Sequence, residues 1–275
     1  MNESLSLRFL YHTKAGRACL KGLVSPCISK IAGAYLDSRL STWLIPIFQK
    51  KNHISMKGIR VPERGFASFN DFFTRKREEI FFDADELHFP SPCDGLLSVS
   101  RIQDGMVLEI KHTRFSMGEL LKNDRLAEDF RDGLALVFRL TPAHYHRYSY
   151  PVSGTVVGKH RINGVLHCVR PIATESFPVF AQNSREYQVI RSDHFGRFVQ
   201  MEVGAMMVGR ITNVPIRIGD KVKRGMEKGY FEFGGSTIIV LLKGEGIELN
   251  EKLLARRNAE GEIPVKVGEW VATKR

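Results

Sequence analysis

Phe231-Glu232-Phe233-Gly234-Gly235-Ser236-Thr237-Ile238-Ile239-Val240-Leu241-Leu242-Lys243 joins an aromatic lead-in, two glycines, two hydroxyl residues and an apolar, β-branched run. The run from Thr237 to Lys243 has the length and side chains of a strand, because branched residues pack well on a pleated surface and lose rotamer freedom in a helix. Six more segments share this texture between Gly, Pro, Asn and Asp turns: Leu96 to Ile102, Met106 to Lys111, Leu134 to Leu140, Gly154 to His160, Glu186 to Arg191 and Arg197 to Val203. From about Phe89 onward the spacing predicts a mainly β domain, a compact barrel or sandwich with few helices.

Upstream the pattern is helical. Ile28, Ile31, Ala32, Tyr35 and Leu36 recur at i, i+3, i+4, i+7 and i+8, and Leu40, Trp43, Leu44, Ile47 and Phe48 continue at compatible spacing. Pro26 and Pro46 mark helix boundaries or kinks. Residues 1–60 carry ten basic side chains against Glu3 and Asp37, which is +8 of the chain's formal +11. Such a basic, amphipathic region suits an anionic bilayer surface, and it equally suits a lid whose apolar stripe packs on the protein itself. After a polar connection from Lys50 to Arg64, Ser68 with Asp71 three positions on reads as a helix start. The fold class expected is α+β: a helical region over 1–64, then a mainly β domain over 65–275.

At 275 residues, 43% hydrophobic and 26% charged, with no low-complexity tract, the chain can bury a real core. Cys19, Cys27, Cys93 and Cys168 lack the paired spacing of a zinc site and the density of a disulfide scaffold, so they read as free thiols with no metal. Apolar runs such as Trp43 to Phe48 fall far short of the ~20 residues that cross a bilayer. Glu3, His12 and Lys14 interrupt any signal peptide. The net charge invites a nucleic-acid reading, yet no recognition motif or basic stretch interleaved with aromatics supports it.

Taken alone, Gly234-Gly235-Ser236-Thr237 is the grammar of a tight turn or bulge. A serine behind flexible glycines can also turn its oxygen back onto the preceding carbonyl. Asp94 before Gly95 reads as a turn residue. His146, between Tyr145 and Arg147, reads as a strand-end hydrogen-bonder or as a group that titrates near neutral pH.

The glycine-serine segment occurs with Phe69-Asn70-Asp71-Phe72-Phe73-Thr74-Arg75, Ser91-Pro92-Cys93-Asp94-Gly95, Leu140-Thr141-Pro142, Tyr145-His146-Arg147, Pro151 to Gly154, Val203-Gly204-Ala205 and Val208-Gly209. In this order, across roughly 65–245, these motifs resemble the phosphatidylserine decarboxylase family. The resemblance implies that Ser236 attacks the carbonyl of Gly235 and cuts the chain into 1–235 and 236–275. Position 236 becomes a covalent pyruvoyl group, which decarboxylates phosphatidylserine to phosphatidylethanolamine and CO2 through a Schiff base. It assigns an essential acid to Asp94 and an essential base to His146, the latter also the candidate proton donor after CO2 loss. Many relatives have an Asp and a second His where this chain has His144 and Ser149, so His144, Ser149, Gly234 and Thr237 stand as accessory candidates.

The resemblance further implies peripheral binding through residues 1–64 to an anionic membrane, on its cytoplasmic face, by a homo-oligomer, a dimer of two-chain protomers; acidic Glu3 and the lack of an Arg/Ser-rich leader point to a bacterial protein. Arg147 and Arg210 are candidates for the lipid phosphate by charge alone. A pyruvoyl decarboxylase of a soluble amine would not need the basic arm. A carrier-like module is a further alternative, since Ile218 to Gly225 resembles the turns of lipoyl or biotinyl barrels, but it would leave the chain uncut.

Overall fold

The computed structural model of the chain describes residues 5–23, 26–102, 107–110, 113–167, 179–205, 210–234 and 236–275. Glu3, Met106, Lys111, Cys168, Val208, Gly209 and Gly235 lie outside the described residues, as do the side chains of Cys27 and Ile28.

Helices α1 (Leu5–His12), α2 (Lys14–Leu23), α3 (Pro26–Asp37) and α4 (Leu44–Lys51) precede the short α5 (Phe69–Phe73). Pro26 takes the first position of α3 and Pro46 the first turn of α4, where the missing amide hydrogen costs little. Ser68 caps α5: its Oγ accepts from the Asp71 amide, while the Asp71 carboxylate accepts from the Ala67 amide.

Strands dominate thereafter. β1 (Ile59–Arg60) pairs with β2 (Lys76–Arg77), and β3 (His88–Pro90) and β4 (Gly95–Arg101) follow. A hairpin of β5 (Val107–Ile110) and β6 (Thr113–Ser116) leads into α6 (Met117–Leu121) and α7 (Asp124–Glu128). Next come β7 (Leu134–Leu140), β8 (Arg147–Ser149), β9 (Gly154–Ile162), β10 (Arg185–Ser192) and β11 (Gly196–Gly204). The chain closes with β12 (Ile211–Asn213), β13 (Lys221–Val222), β14 (Glu227–Phe231), β15 (Ser236–Leu242), β16 (Ile247–Leu249), β17 (Ile263–Val265) and β18 (Trp270–Lys274).

The centre is an open antiparallel sheet of eight strands in the order β13-β9-β10-β11-β15-β7-β4-β17. It does not close into a barrel; of the two expected forms the structure takes the sandwich-like one. Side chains alternate across it. From β15, Ile239 and Leu241 enter one core with Ala135, Val137, Val199 and Met201, which α1, α2, α6 and α7 cover through Tyr11, Leu20, Leu120 and Leu126. Ile238, Val240 and Leu242 enter the opposite core with Leu136, Phe138 and Phe198. That second face is covered by the small sheets β12-β14-β8 and β16-β18-β3, through Tyr148, Phe231, Phe89 and Ala272. Burial on both faces is why β7 and β15 read as unbroken apolar runs.

The amphipathic stripe of the N-terminal region divides in two. Ala32, Leu36, Leu44, Ile45 and Phe48 pack on Phe69, Phe73 and Phe233, as the lid reading requires. Ile31 (74% exposed), Tyr35, Leu40 (76%), Trp43 (59%) and Ile47 face outward instead.

Candidate active site

Ser236 opens β15 between Gly204 of β11 and Leu140 of β7. It is fully buried, and its Oγ has no hydrogen-bond partner among the described residues. Thr237, on the other face, is likewise buried with an unpartnered Oγ1. A buried hydroxyl without a partner costs about 1–3 kcal/mol, so two in succession call for an explanation. Just upstream, Gly234 has φ 150°, a conformation that side chains with a Cβ resist.

The segment before Ser236 is tied to the N-terminal helices. The Phe233 amide donates to Asn70 Oδ1 (3.2 Å), and Asn70 Nδ2 donates to Asp37 Oδ1 (2.8 Å). The Phe233 ring stands edge-on to Phe48, Phe69 and Phe73, with centroids 5.6, 5.0 and 5.2 Å away. Asn70 was visible in the sequence only as part of a motif; its bridging role was not.

The histidines lie on the turn from β7 to β8. Thr141 donates its amide to His144 Nδ1 (2.9 Å), and His146 Nδ1 lies 2.9 Å from the His144 carbonyl. A carbonyl only accepts, so His146 carries its proton on Nδ1 and presents Nε2 as a bare acceptor. That Nε2 is buried without a partner among the described residues, and the centre of the imidazole ring lies 4.1 Å from that of Phe73. Burial, then the neighbouring Arg75 charge, pushes His146 down to about 3. Burial also brings His144 to about 4. Both imidazoles are neutral at pH 7. Titration near neutrality, the ground for expecting His146 to deliver a proton, therefore does not hold in this conformation. The turn is bound to the segment leading to Ser236, because the Phe231 amide donates to the His146 carbonyl (3.0 Å).

Asp94 is more than a turn residue. Its carboxylate takes two bonds from Arg77 (3.0 and 2.6 Å) and one from the Val267 amide (3.0 Å), with Lys266 at 3.4 Å. Burial raises its pKa, but Arg77, Lys266 and the amide together outweigh burial and hold it below the usual carboxylate range. It reaches the histidine turn through Arg77, whose guanidinium lies over the Tyr145 ring at 4.5 Å. Its negative charge raises the pKa of both imidazoles, against the larger effect of burial. Arg77, 17 residues away in sequence, carried no sequence signal.

Ser149, in β8, is buried; its amide donates to Pro92 O (2.9 Å) and its carbonyl accepts from Gln200 Nε2 (3.3 Å). Arg147 is occupied: it donates to the Thr74 carbonyl (2.6 Å), pairs with Glu227 (2.8 Å) and lies over Tyr230. Two of its three guanidinium nitrogens are thereby committed, to Thr74 and Glu227. Arg210 is exposed and borders a cleft of about 730 Å³ together with Lys30, Lys159 and Arg161, which Glu232 joins to the Ser236 segment.

A buried ion pair, Lys228 with Glu202, lies on the same side of the sheet as Ser236. The sequence hid it, since both residues sit where a polar side chain normally faces water. No helix among the described residues is long and apolar enough to cross a membrane.

The model of the phosphatidylserine decarboxylase family matches residues 69–273. The phosphatidylserine decarboxylase proenzyme 2 of Clostridium acetobutylicum is 39% identical over 96% of this chain and 90% of the relative. The phosphatidylserine decarboxylase proenzyme of Clostridium tetani is 36% identical over 90% and 84%, and one from Clostridium botulinum is 34% identical over 98% and 92%. A match that spans the buried serine, the histidine turn and the Asp94 anchor at once leaves one conclusion: the chain belongs to the phosphatidylserine decarboxylase family.

Proposed function

We propose that this chain is a self-cleaving decarboxylase that converts phosphatidylserine to phosphatidylethanolamine and CO2, with its catalytic carbonyl made from Ser236. The observation that carries the reading is the buried Oγ of Ser236, unpartnered among the described residues, behind Gly234. A hydroxyl held away from competing hydrogen bonds is free to attack the Gly235 carbonyl, and the ester formed by the N-to-O shift undergoes β-elimination to dehydroalanine. Hydrolysis then leaves chain 1–235 and a chain 236–275 blocked by pyruvoyl. The buried, orphaned serine side chain fits this origin for the group. The chemistry a pyruvoyl group supplies is a carbonyl that condenses with the headgroup amine and accepts the electron pair left by CO2.

The chain's own residues hold and prepare this centre. Asp94 fixes Arg77, and Arg77 braces Tyr145 between the two histidines. His146 Nε2 is a desolvated acceptor beside Phe73, available for proton transfer once a reacting group meets it. In the cleft's lining Lys30, Lys159, Arg161, Arg185 and Arg210 outnumber Asp37, Glu186 and Glu232, a net positive charge that suits a phosphodiester.

Residues 1–64 serve as the docking region and 65–275 as the catalytic domain. Ile31, Leu40, Trp43 and Ile47 supply apolar contact, and the basic residues around them attract an anionic leaflet, the cytoplasmic one in a bacterial cell. The test is CO2 release from phosphatidylserine vesicles against release from soluble glycerophosphoserine. Release from vesicles, lost in Ser236→Ala and reduced several-fold in a Leu40→Ser/Trp43→Ser double variant, supports the reading. Equal turnover of the soluble compound would favour a soluble-amine decarboxylase.

A further inference from the structure

Self-cleavage needs a group that removes the Ser236 proton, and the strand register brings the buried Glu202 within a side chain's reach of it, although the two do not hydrogen-bond in this structure. Glu202 of β11 is register partner to Ile238, while Ser236 is partner to Gly204. Glu202 and Ser236 are therefore diagonal neighbours on one face of adjacent strands, a separation of about 7–8 Å that a long side chain spans. Both are fully buried. Glu202 Oε2 accepts from Lys228 Nζ and from Asn213 Nδ2 (3.4 Å), whereas Oε1 has no partner among the described residues.

Lys228 is held with similar care. It sits at the register irregularity of β14, opposite β8, where Glu227 pairs with Ser149 and Gly229 with Tyr148. Its Nζ lies 5.7 Å from the Tyr148 ring and 3.4 Å from Asn213 Oδ1. The surrounding core is apolar, with Phe138, Phe231, Ile238 and Val240. Asn213 also donates to the nearby Glu186 (3.0 Å), and such a buried, charged cluster is no more stabilising than well-packed hydrocarbon would be, so packing does not explain it. Burial raises the Glu202 pKa and lowers that of Lys228, which brings the two forms of the pair closer in energy.

We propose that Glu202, held by Lys228 and Asn213, is the base that starts self-cleavage. The inference rests on the self-cleavage reading given above. The Ser236 Oγ–H proton passes to Glu202 Oε1 as Oγ bonds to the carbonyl carbon of Gly235. The C–N bond between Gly235 and Ser236 then breaks, and its nitrogen takes the proton back from Glu202. The step is an isomerisation to the ester and needs no co-reactant.

The test follows wild type, Glu202→Gln, Glu202→Ala and the paired Glu202→Leu/Lys228→Met by intact mass against time, with thermal melts to establish folding. Wild type is expected as two chains. Glu202→Gln and the apolar pair are expected to fold and to stay uncut, or to cut at least about 100-fold more slowly. Added formate is expected to restore cutting in Glu202→Ala. Wild-type cutting rates in either folded variant would overturn the proposal, and so would a folded, uncut Glu202→Ala that formate fails to rescue. Glu202→Gln keeps the side-chain volume, so it decides the matter if the apolar pair does not fold. An uncut wild type would instead remove the self-cleavage reading itself.

Discussion

The two ends of β15 obey different rules. From Ile238 to Leu242 every side chain is buried in one of two apolar cores, and each backbone neighbour is in register with β7 or β11. At Ser236 and Thr237 the same strand buries two hydroxyls without partners among the described residues, beside a buried ion pair and a turn bearing two neutral histidines. One end holds the fold together, and the other is paid for by it. Strain and unmet polar groups are tolerated only where a rigid frame over-determines them.

Among single substitutions, breaking the packed end has the largest expected effect. Leu241→Ala removes a fully buried side chain and should cost about 2–5 kcal/mol in denaturant unfolding, while the folded fraction still cuts at Ser236. Comparable stability loss together with lost cutting would show that the two ends are not separable.

Acid should act on the other end. His146 and His144 have folded pKa values of about 3 and about 4, below the 6.5 of an unperturbed imidazole. Between those values the unfolded chain binds the extra protons. Their contribution is therefore complete above pH ~6.5 and is lost as pH falls, by about 1.4 kcal/mol per pH unit for each histidine. Urea titrations from pH 7 to pH 4.5 should show this slope, and His146→Asn should reduce it. A flat profile would mean that the turn opens to water.

The smallest effect concerns Thr237, whose hydroxyl is buried and unpaired among the described residues. Thr237→Val keeps the shape and removes the polar atom, so the melting temperature should stay level or rise, within about 1 kcal/mol. A loss beyond that would reveal a partner that Oγ1 meets in solution.

How much of this could be read in advance follows the same division. Strands such as Leu134–Leu140 were legible because local side-chain shape selects extended backbone. The stripe from Ile31 to Phe48 was legible as amphipathic, but which half faced inward depended on Phe69, Phe73 and Phe233, distant in sequence. Ser236 stood out through its glycines. Glu202 did not: within Val199 to Val203 it looks like the outward residue of a half-exposed strand, and only the second layer formed by β12, β14 and β8 turns that outward face into an interior. The grip of Arg77 on Asp94 was hidden for a related reason, since long-range pairs leave no local pattern.

The most direct measurement is the intact mass of purified wild type beside Ser236→Ala. The account predicts two wild-type chains divided between Gly235 and Ser236, their masses summing to the precursor plus water less ammonia, and a single uncut variant chain. A wild type that stays whole, or a Ser236→Ala variant cut at the same bond, would contradict it.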